Sequence, residues 1–268
     1  MMAGDALAFS PQAVRRWQGG AWQDVGDHLA QEVPVALVFN GISHAVMLAT
    51  PADLEDFALG FSLTEGVLAH PGELYGVEAR EVPGQGIQLD LEVSAACMAR
   101  LKAYRRTLAG RTGCGLCGTD SLAQVRRALP PLPALQVAPQ AIAAAMQALH
   151  AHQPLQTRTG ATHAAAWCDA RGVIVLARED VGRHNALDKL IGALRRAQQD
   201  AASGFIVVTS RASFEMVQKT ALAGCSMLVA VSAPTALAVQ VAQQAGLALA
   251  GFARDDHFVA YAHAHRFC

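Results

Sequence analysis

Residues 34–39 and 42–49 form two mostly apolar runs, and Asn40-Gly41 joins them. That pattern predicts a β-hairpin with a type I′ turn. Thr50-Pro51-Ala52-Asp53 follows and reads as a helix start, with Thr50 as N-cap, Pro51 at N1 and an acid at N3. The helix should reach Val67 and carry Leu54, Phe57, Phe61 and Leu68 on one face. A second strand pair is expected over 75–93, broken at Pro83-Gly84. A basic segment (Arg100, Lys102, Arg105, Arg106, Arg111) leads to a glycine-rich stretch. Ser121-Leu122-Ala123-Gln124 has capping-box spacing for a short helix, and Pro130, Pro131 and Pro133 mark a linker.

The remainder is more regular. It predicts a helix over 140–151, a hairpin of 163–168 with 172–177, and a helix over 185–197. A strand over 205–209, a helix over 214–223, a strand over 227–231 and a helix over 234–245 come next. Strands over 247–253 and 258–262 close the chain. Strand–helix alternation of this kind argues for an α/β fold with a mostly parallel sheet flanked by helices. The chain thus divides into a smaller N-terminal α+β region (1–110), a cysteine loop with short helix and Pro-rich linker (111–137), and an α/β core (138–268).

Composition narrows the function classes. The chain of 268 residues is 52% hydrophobic and 16% charged, enough for a substantial core. A net charge of −1 gives no electrostatic case for nucleic acid. No apolar run reaches the roughly 18 residues of a membrane span. Residues 1–8 lack a basic region followed by an apolar core, so no signal peptide is expected. Six cysteines are too sparse for a disulfide scaffold, and reduced thiols in a cytoplasmic protein are expected.

The candidate chemistry centres on Thr112-Gly113-Cys114-Gly115-Leu116-Cys117-Gly118. Glycines leave the two thiols uncovered, so the pair reads as an accessible loop. Three chemistries fit it. Zinc needs about four ligands, and Cys114 and Cys117 supply half; no second Cys-x-x-Cys exists, with His263-x-His265 a poorly placed complement. A redox dithiol would open a helix directly after a strand, which this pair does not. In sulfur transfer, a thiolate attacks the outer sulfur of a donor persulfide, with Arg111 favouring the thiolate. Cys97, Cys168, Cys225 and Cys268 read as core residues, and His163 as structural.

Three junctions at the carboxyl ends of expected strands are polar and precede helices. They are Arg178-Glu179-Asp180-Val181-Gly182-Arg183-His184-Asn185, Thr209-Ser210-Arg211-Ala212-Ser213 and Ser232-Ala233-Pro234-Thr235. Helix N-termini favour anions, and Arg183 and Arg211 can each fork onto a phosphate. The plainer reading is N-capping by Asn185, Ser213 and Ser232. There is no Gly-x-Gly-x-x-Gly and no Walker-type Gly-Lys-Ser/Thr.

The cysteine loop (110–118), Gly160-Ala161-Thr162-His163-Ala164-Ala165-Ala166, the 178–189 stretch Arg-Glu-Asp-Val-Gly-Arg-His-Asn-Ala-Leu-Asp-Lys, the 210–219 stretch and the 232–238 stretch together resemble the formate dehydrogenase accessory sulfurtransferases, the FdhD family. The resemblance runs in order from about residue 30 to residue 265. It implies a sulfurtransferase that takes sulfur from a cysteine desulfurase as a persulfide. The acceptor it implies is the molybdenum (or tungsten) bis-molybdopterin guanine dinucleotide cofactor of formate dehydrogenase. It also implies a homodimer and a cytidine-deaminase-like core over 138–268. The deaminase zinc signature is missing, since His163 is followed by Ala164 and Ala165 with no glutamate. By position, Cys114 matches the family's persulfide carrier and Cys117 its second cysteine. The cofactor-binding segment maps onto Phe252, Ala253, Arg254, Asp255, Asp256 and His257, with Arg183, His184, Arg211 and Ser213 holding the anion. Asp255 and Asp256 suit guanine, whose N1–H and N2–H₂ are donors. The alternative is a chaperone that binds the cofactor without sulfur chemistry.

Overall fold

The structure, a computed structural model, describes residues 8–108 and 129–268. Arg111, Cys114, Cys117 and the short helix expected at Ser121 lie outside the described residues. The first element is an antiparallel ribbon, β1 (Phe9–Gln18) and β2 (Ala21–Ala30), turned by Gly19-Gly20 at φ +61° and +84°. Positive φ at both positions suits a two-residue type I′ turn. The hydrophobic pattern does not predict this ribbon. Neither of its faces is well buried, so the sequence has no need of the alternation that marks a half-buried strand.

β3 (Val33–Phe39) and β4 (Ile42–Ala49) form the expected hairpin, with Asn40 and Gly41 both at positive φ. β5 (Leu74–Val82) and β6 (Gly86–Val93) form the expected pair, and β6 lies parallel to β3 in a sheet of order β4-β3-β6-β5. Helices α1 (Leu54–Thr64) and α2 (Ala95–Leu108) complete this part. Alternate residues Val35, Leu37 and Phe39 of β3 and Leu89, Leu91 and Val93 of β6 share one core with Phe57, Phe61, Cys97 and Leu101.

α1 is shorter than expected. Its N-cap is Asp53, at φ +52° with no side-chain capping bond, and it ends at Thr64. Thr50 has another task. Its backbone N–H donates to Asp180 Oδ2 at 3.0 Å, its hydroxyl accepts from Val181 N at 3.1 Å, and its carbonyl accepts from Lys189 Nζ at 2.9 Å.

Glu73 ties α2 to the turn before β5. Its carboxylate pairs with Arg100 and accepts from Ala69 N at 2.7 Å and Ser94 Oγ at 3.3 Å. The Arg100 contact, then the Ala69 amide, hold it down from 4.5 to about 2. A carboxyl depressed in the folded state contributes stability above its unfolded value and loses it as pH falls through the folded one. Urea denaturation from pH 5 to pH 2 should therefore show Glu73→Gln losing less stability across the 4.5-to-2 window than the parent protein. Parallel losses in the two proteins would show that Glu73 is not part of the acid response.

The second sheet carries β7 (His163–Asp169), β8 (Ile174–Asp180), β9 (Gly204–Val208), β10 (Met227–Ala230), β11 (Ala248–Arg254) and β12 (His257–Ala262). Its order is β12-β11-β10-β9-β7-β8. The expectation of a mostly parallel sheet is corrected: only β9–β10 and β10–β11 pair in parallel, and the other three pairings are antiparallel. The reason lies in the connections. β7–β8 and β11–β12 are joined by tight turns, which permit only antiparallel pairing, whereas the parallel strands are joined through helices.

Helices α5 (Arg183–Arg196), α6 (Phe214–Leu222) and α7 (Ala236–Ala245) cover one face, through residues such as Leu187, Leu190, Met216 and Ala242. α3 (Pro139–Leu149) covers the other through Ile142 and Ala145, and the short α4 (Pro154–Thr159) leads into β7. Both faces are therefore buried, which is why β9 and β10 read as continuous apolar runs. Among the described residues, no helix is long and apolar enough to cross a membrane.

The two halves meet where α1 crosses α5. Gly60 and Gly192 lie at the crossing, so close that a Cβ on Gly60 would sit 1.7 Å from the Asp188 carbonyl oxygen. Buried charges flank this contact. Asp56 receives Arg178 at 2.7 Å and Arg196 at 2.8 Å. Asp188 receives Lys219 at 2.9 Å and the Thr64 hydroxyl at 2.7 Å. Lys189 and Asp180, both fully buried, pair at 2.6 Å.

Candidate functional site

Strands β8 to β11 end at one edge of the second sheet, and three helices start there. Backbone hydrogen bonds carry the ladder past the strand ends. Ser232 N donates to Ser210 O at 3.4 Å, and Phe252 N donates to Ser232 O at 3.3 Å. Thr235 N donates to Ala212 O at 3.0 Å. On the other side, Ala164 N donates to Thr209 Oγ1 at 2.9 Å, and His163 pairs in register with Asp180. The three polar junctions and the 252–257 segment thus lie on one sheet edge, the side on which open α/β sheets bind ligands.

The capping expectation divides. α7 is capped by Thr235, whose hydroxyl accepts from Ala238 N at 3.2 Å, and not by Ser232. α5 has Gly182 as N-cap and no side-chain cap; Asn185 lies inside the helix. Ser213 is the N-cap of α6, yet its hydroxyl makes no capping bond. Ser213 Oγ, Arg183 Nε and His184 Nε2 are buried atoms with no hydrogen-bond partner. An unpaired buried polar atom is costly, and three of them beside adjacent helix starts suit an anion.

Most of the first junction is architecture. Arg178 is spent on Asp56. Glu179 accepts from Leu155 N and Gln156 N at 2.9 and 2.8 Å, which caps α4. Asp180 accepts from Gly182 N at 2.8 Å besides its pairing with Lys189. Asn185 donates to Leu48 O at 2.7 Å and to Asp180 at 3.0 Å, joining β4 to the second sheet. Arg183 and His184 are the residues of this stretch directed to the helix starts.

Glu215 is a site residue that the sequence reading does not single out. Its Oε2 lies 2.8 Å from His184 Nε2, linking the first turns of α5 and α6. The His184 contact holds the Glu215 carboxyl below its ordinary value. His163 is pushed down, first by burial and then by the Arg183 charge. The signal in the sequence is an acid at the second position of α6, two residues after an N-cap serine.

Arg211, Phe252, Arg254, Asp255, Asp256 and His257 are exposed. Phe252 and Asp255 hold positive φ, +53° and +49°, in a bulge where the β11–β12 register shifts between Gly251 and Arg254. The bulge turns the Phe252 ring outward. Ala253 is completely buried in the α3-side core, which leaves only its backbone to a ligand. Cys114 and Cys117 lie outside the described residues, so their place relative to this edge is not part of the geometry.

Comparison with known proteins agrees with the motifs. The FdhD/NarQ family model matches residues 30–268. The Sulfur carrier protein FdhD of Variovorax paradoxus is 62% identical over 90% of this chain and 86% of its own. The protein of the same name from Cupriavidus necator is 56% identical over 98% of this chain and 92% of its own. Among solved structures, a proposed formate dehydrogenase accessory protein from Desulfotalea psychrophila superposes with a TM-score of 0.78 at 20% identity, covering 97% of this chain and 100% of that one. With a family model over nearly nine-tenths of its length and relatives above half identity, the chain belongs to the FdhD/NarQ family.

Proposed function

We propose that this chain is a cytoplasmic sulfurtransferase that matures formate dehydrogenase, carrying sulfur as a persulfide on Cys114. The donor is a cysteine desulfurase and the acceptor the molybdenum bis-molybdopterin guanine dinucleotide cofactor. In the loading step the Cys114 thiolate attacks the outer sulfur of the donor's persulfide. A new S–S bond forms on Cys114 as the donor's breaks, and the donor cysteine leaves as a thiolate. Cys117 assists or resolves. The working unit is a homodimer, and residues 138–268 are a cytidine-deaminase-like core without the deaminase zinc set.

The relatives named sulfur carriers support the chemistry, and one observation about this chain supports the assignment to the loop. Cys97, Cys168 and Cys225 are buried. Burial raises the Cys97 thiol and pushes Cys168 and Cys225 up to about 12. Such thiols do not form the thiolate that attacks sulfur. Of the six cysteines, that leaves the glycine-framed pair and the exposed Cys268.

The sheet edge fits the acceptor's charge. Arg183 Nε and Ser213 Oγ, buried and unpartnered, suit a phosphate of the cofactor. Arg211, exposed at the next junction, and His184 add donors, and Phe252 to His257 flank the site with Asp255 and Asp256 offered to guanine.

The test is intact-protein mass spectrometry after incubation with a cysteine desulfurase and cysteine. A reductant-labile gain of one sulfur, about 32 Da, is expected on the parent protein and on Cys268→Ser but not on Cys114→Ala. No gain on the parent, with an active desulfurase present, would reject the carrier role and leave a cofactor-binding chaperone.

A further inference from the structure

We propose that the cavity between the base of the β1–β2 ribbon and the N-terminal sheet seats the pterin ring of the cofactor, with Glu81 accepting from its 2-amino-4-oxo edge. This rests on the reading above, that the edge of the second sheet takes a guanine dinucleotide.

Position along that edge gives the direction. The strand order is β12-β11-β10-β9-β7-β8. The 252–257 segment stands at the β11–β12 end. The unpartnered atoms of Arg183, His184 and Ser213 mark an anion seat at the starts of α5 and α6, the helices that follow β8 and β9. In a dinucleotide the pyrophosphate lies between two ring systems. With guanine at the β11–β12 end, the other ring leaves the anion seat towards β8, where the N-terminal half packs. There the Thr50 hydroxyl accepts from Val181 N at 3.1 Å, and Pro51, the next residue, is a wall of the cavity. That hydrogen bond and three chain steps bring the Cα atoms of Pro51 and Arg183 within roughly 18 Å of each other.

The lining gives the chemistry. The cavity has a volume of about 570 Å³, within the range of small-molecule sites. Phe9, Pro34, Pro51 and Pro83 give it apolar ring surfaces. Phe9 is fixed in place: the Arg158 guanidinium lies over its ring at 4.5 Å, and the His28 ring meets it edge-on at 5.4 Å. Gln31, Glu81 and Gln85 are the long polar side chains of the lining. Gln31 N donates to Ala8 O at 2.8 Å and Gln85 N to Val82 O at 2.9 Å, which holds the segments carrying the two amides. Apolar walls with polar groups at the margin suit a pteridine, a flat ring system with hydrogen-bonding edges. Its 2-amino group and N3–H are adjacent donors that one carboxylate accepts together, and O4 accepts from an amide. Glu81 is the carboxylate among the residues that line the cavity. Guanine carries the same donor pair, so the two ring systems have to be separated by experiment.

The probe is 6-hydroxymethylpterin, titrated into the full chain at neutral pH and followed by ligand-observed NMR. A molecule of this size should bind at about 1 mM or tighter. The parent should bind it equally with and without saturating GDP, because the two seats are separate. Glu81→Gln should bind it several-fold more weakly while keeping the parent's affinity for GDP, which also shows that the variant is folded. Lumazine, the same ring system with oxygen in place of the 2-amino group, should bind the parent several-fold more weakly than the pterin does, and should bind Glu81→Gln at least as well as the parent. Displacement of the pterin by GDP, or equal pterin affinity in parent and Glu81→Gln, would overturn the proposal while leaving the sheet-edge site standing. GDP binding with no pterin binding would do the same. Binding of neither would reject the dinucleotide site and the proposal with it; the persulfide measurement is independent of both.

Discussion

Gly60→Ala should destabilise the protein, although alanine in a helix interior ordinarily gains up to about 1 kcal/mol over glycine. The added Cβ would lie 1.7 Å from the Asp188 carbonyl oxygen and 2.8 Å from Gly192 N. Both are backbone atoms of α5, so no side-chain rotation relieves the clash, and the two helices must part. Parting them stretches Arg178–Asp56, Arg196–Asp56 and Thr64–Asp188 together. A loss of about 3 kcal/mol or more is expected. For a chain of this size that is a fall of roughly 6–12 °C in melting temperature. Gly192→Ala, whose Cβ would lie 1.9 Å from Asp56 O, should behave alike. Gly26→Ala, with nothing within 4 Å, is the control and should leave the melting temperature nearly unchanged. A Gly60→Ala protein as stable as its parent would mean that the close crossing of α1 and α5 does not hold the halves together.

Lys219→Met should cost a similar amount by another route. It strands Asp188, which is 1% exposed, without its cation. Breaking a buried pair on one side costs about 3–5 kcal/mol, because the remaining charge keeps its desolvation penalty. Burial already raises the Asp188 carboxyl, and Lys219 is the main influence opposing that rise. Without Lys219 the carboxyl is raised further. A carboxyl raised in the folded state loses stability as pH increases through its folded value. The deficit of Lys219→Met, read by urea denaturation, should therefore be larger at pH 8 than at pH 5. Lys219→Met combined with Asp188→Leu should recover much of the loss, since an apolar pair carries no stranded charge. A deficit equal at both pH values and unrelieved in the double variant would point to lost packing. The site should respond as well, because Lys219 lies on α6, whose N-cap is Ser213.

What could be read from the chain depended on whether its cause was local. The β3–β4 hairpin was legible because Asn40-Gly41 supplies two positive-φ positions between two mostly apolar runs. β9 and β10 were legible as short apolar runs, because both faces of their sheet are covered. The β1–β2 ribbon was not: with both faces mostly in solvent it carries no burial pattern, and Gly19-Gly20 with Trp17 opposite Trp22 was its one cue. Thr50 looked like an N-cap because cap chemistry is local, but its partners are Asp180, Val181 and Lys189, about 130 residues away.

The same division runs through the site. The sequence by itself determined most of the element order after the β1–β2 ribbon, the polar helix starts, the glycine-framed thiols and, through its motifs, the family. Only the tertiary structure decided the mixed pairing of the second sheet and the different tasks of residues within one motif. Arg178, Asp180, Asn185, Asp188 and Lys189 look as ready for a ligand as Arg183 and His184. The first group is consumed where α1 and β4 cover α5, and the second is left at the sheet edge. The physical reason is that a charge is structural or available according to what buries it, and burial is set by segments distant in the chain.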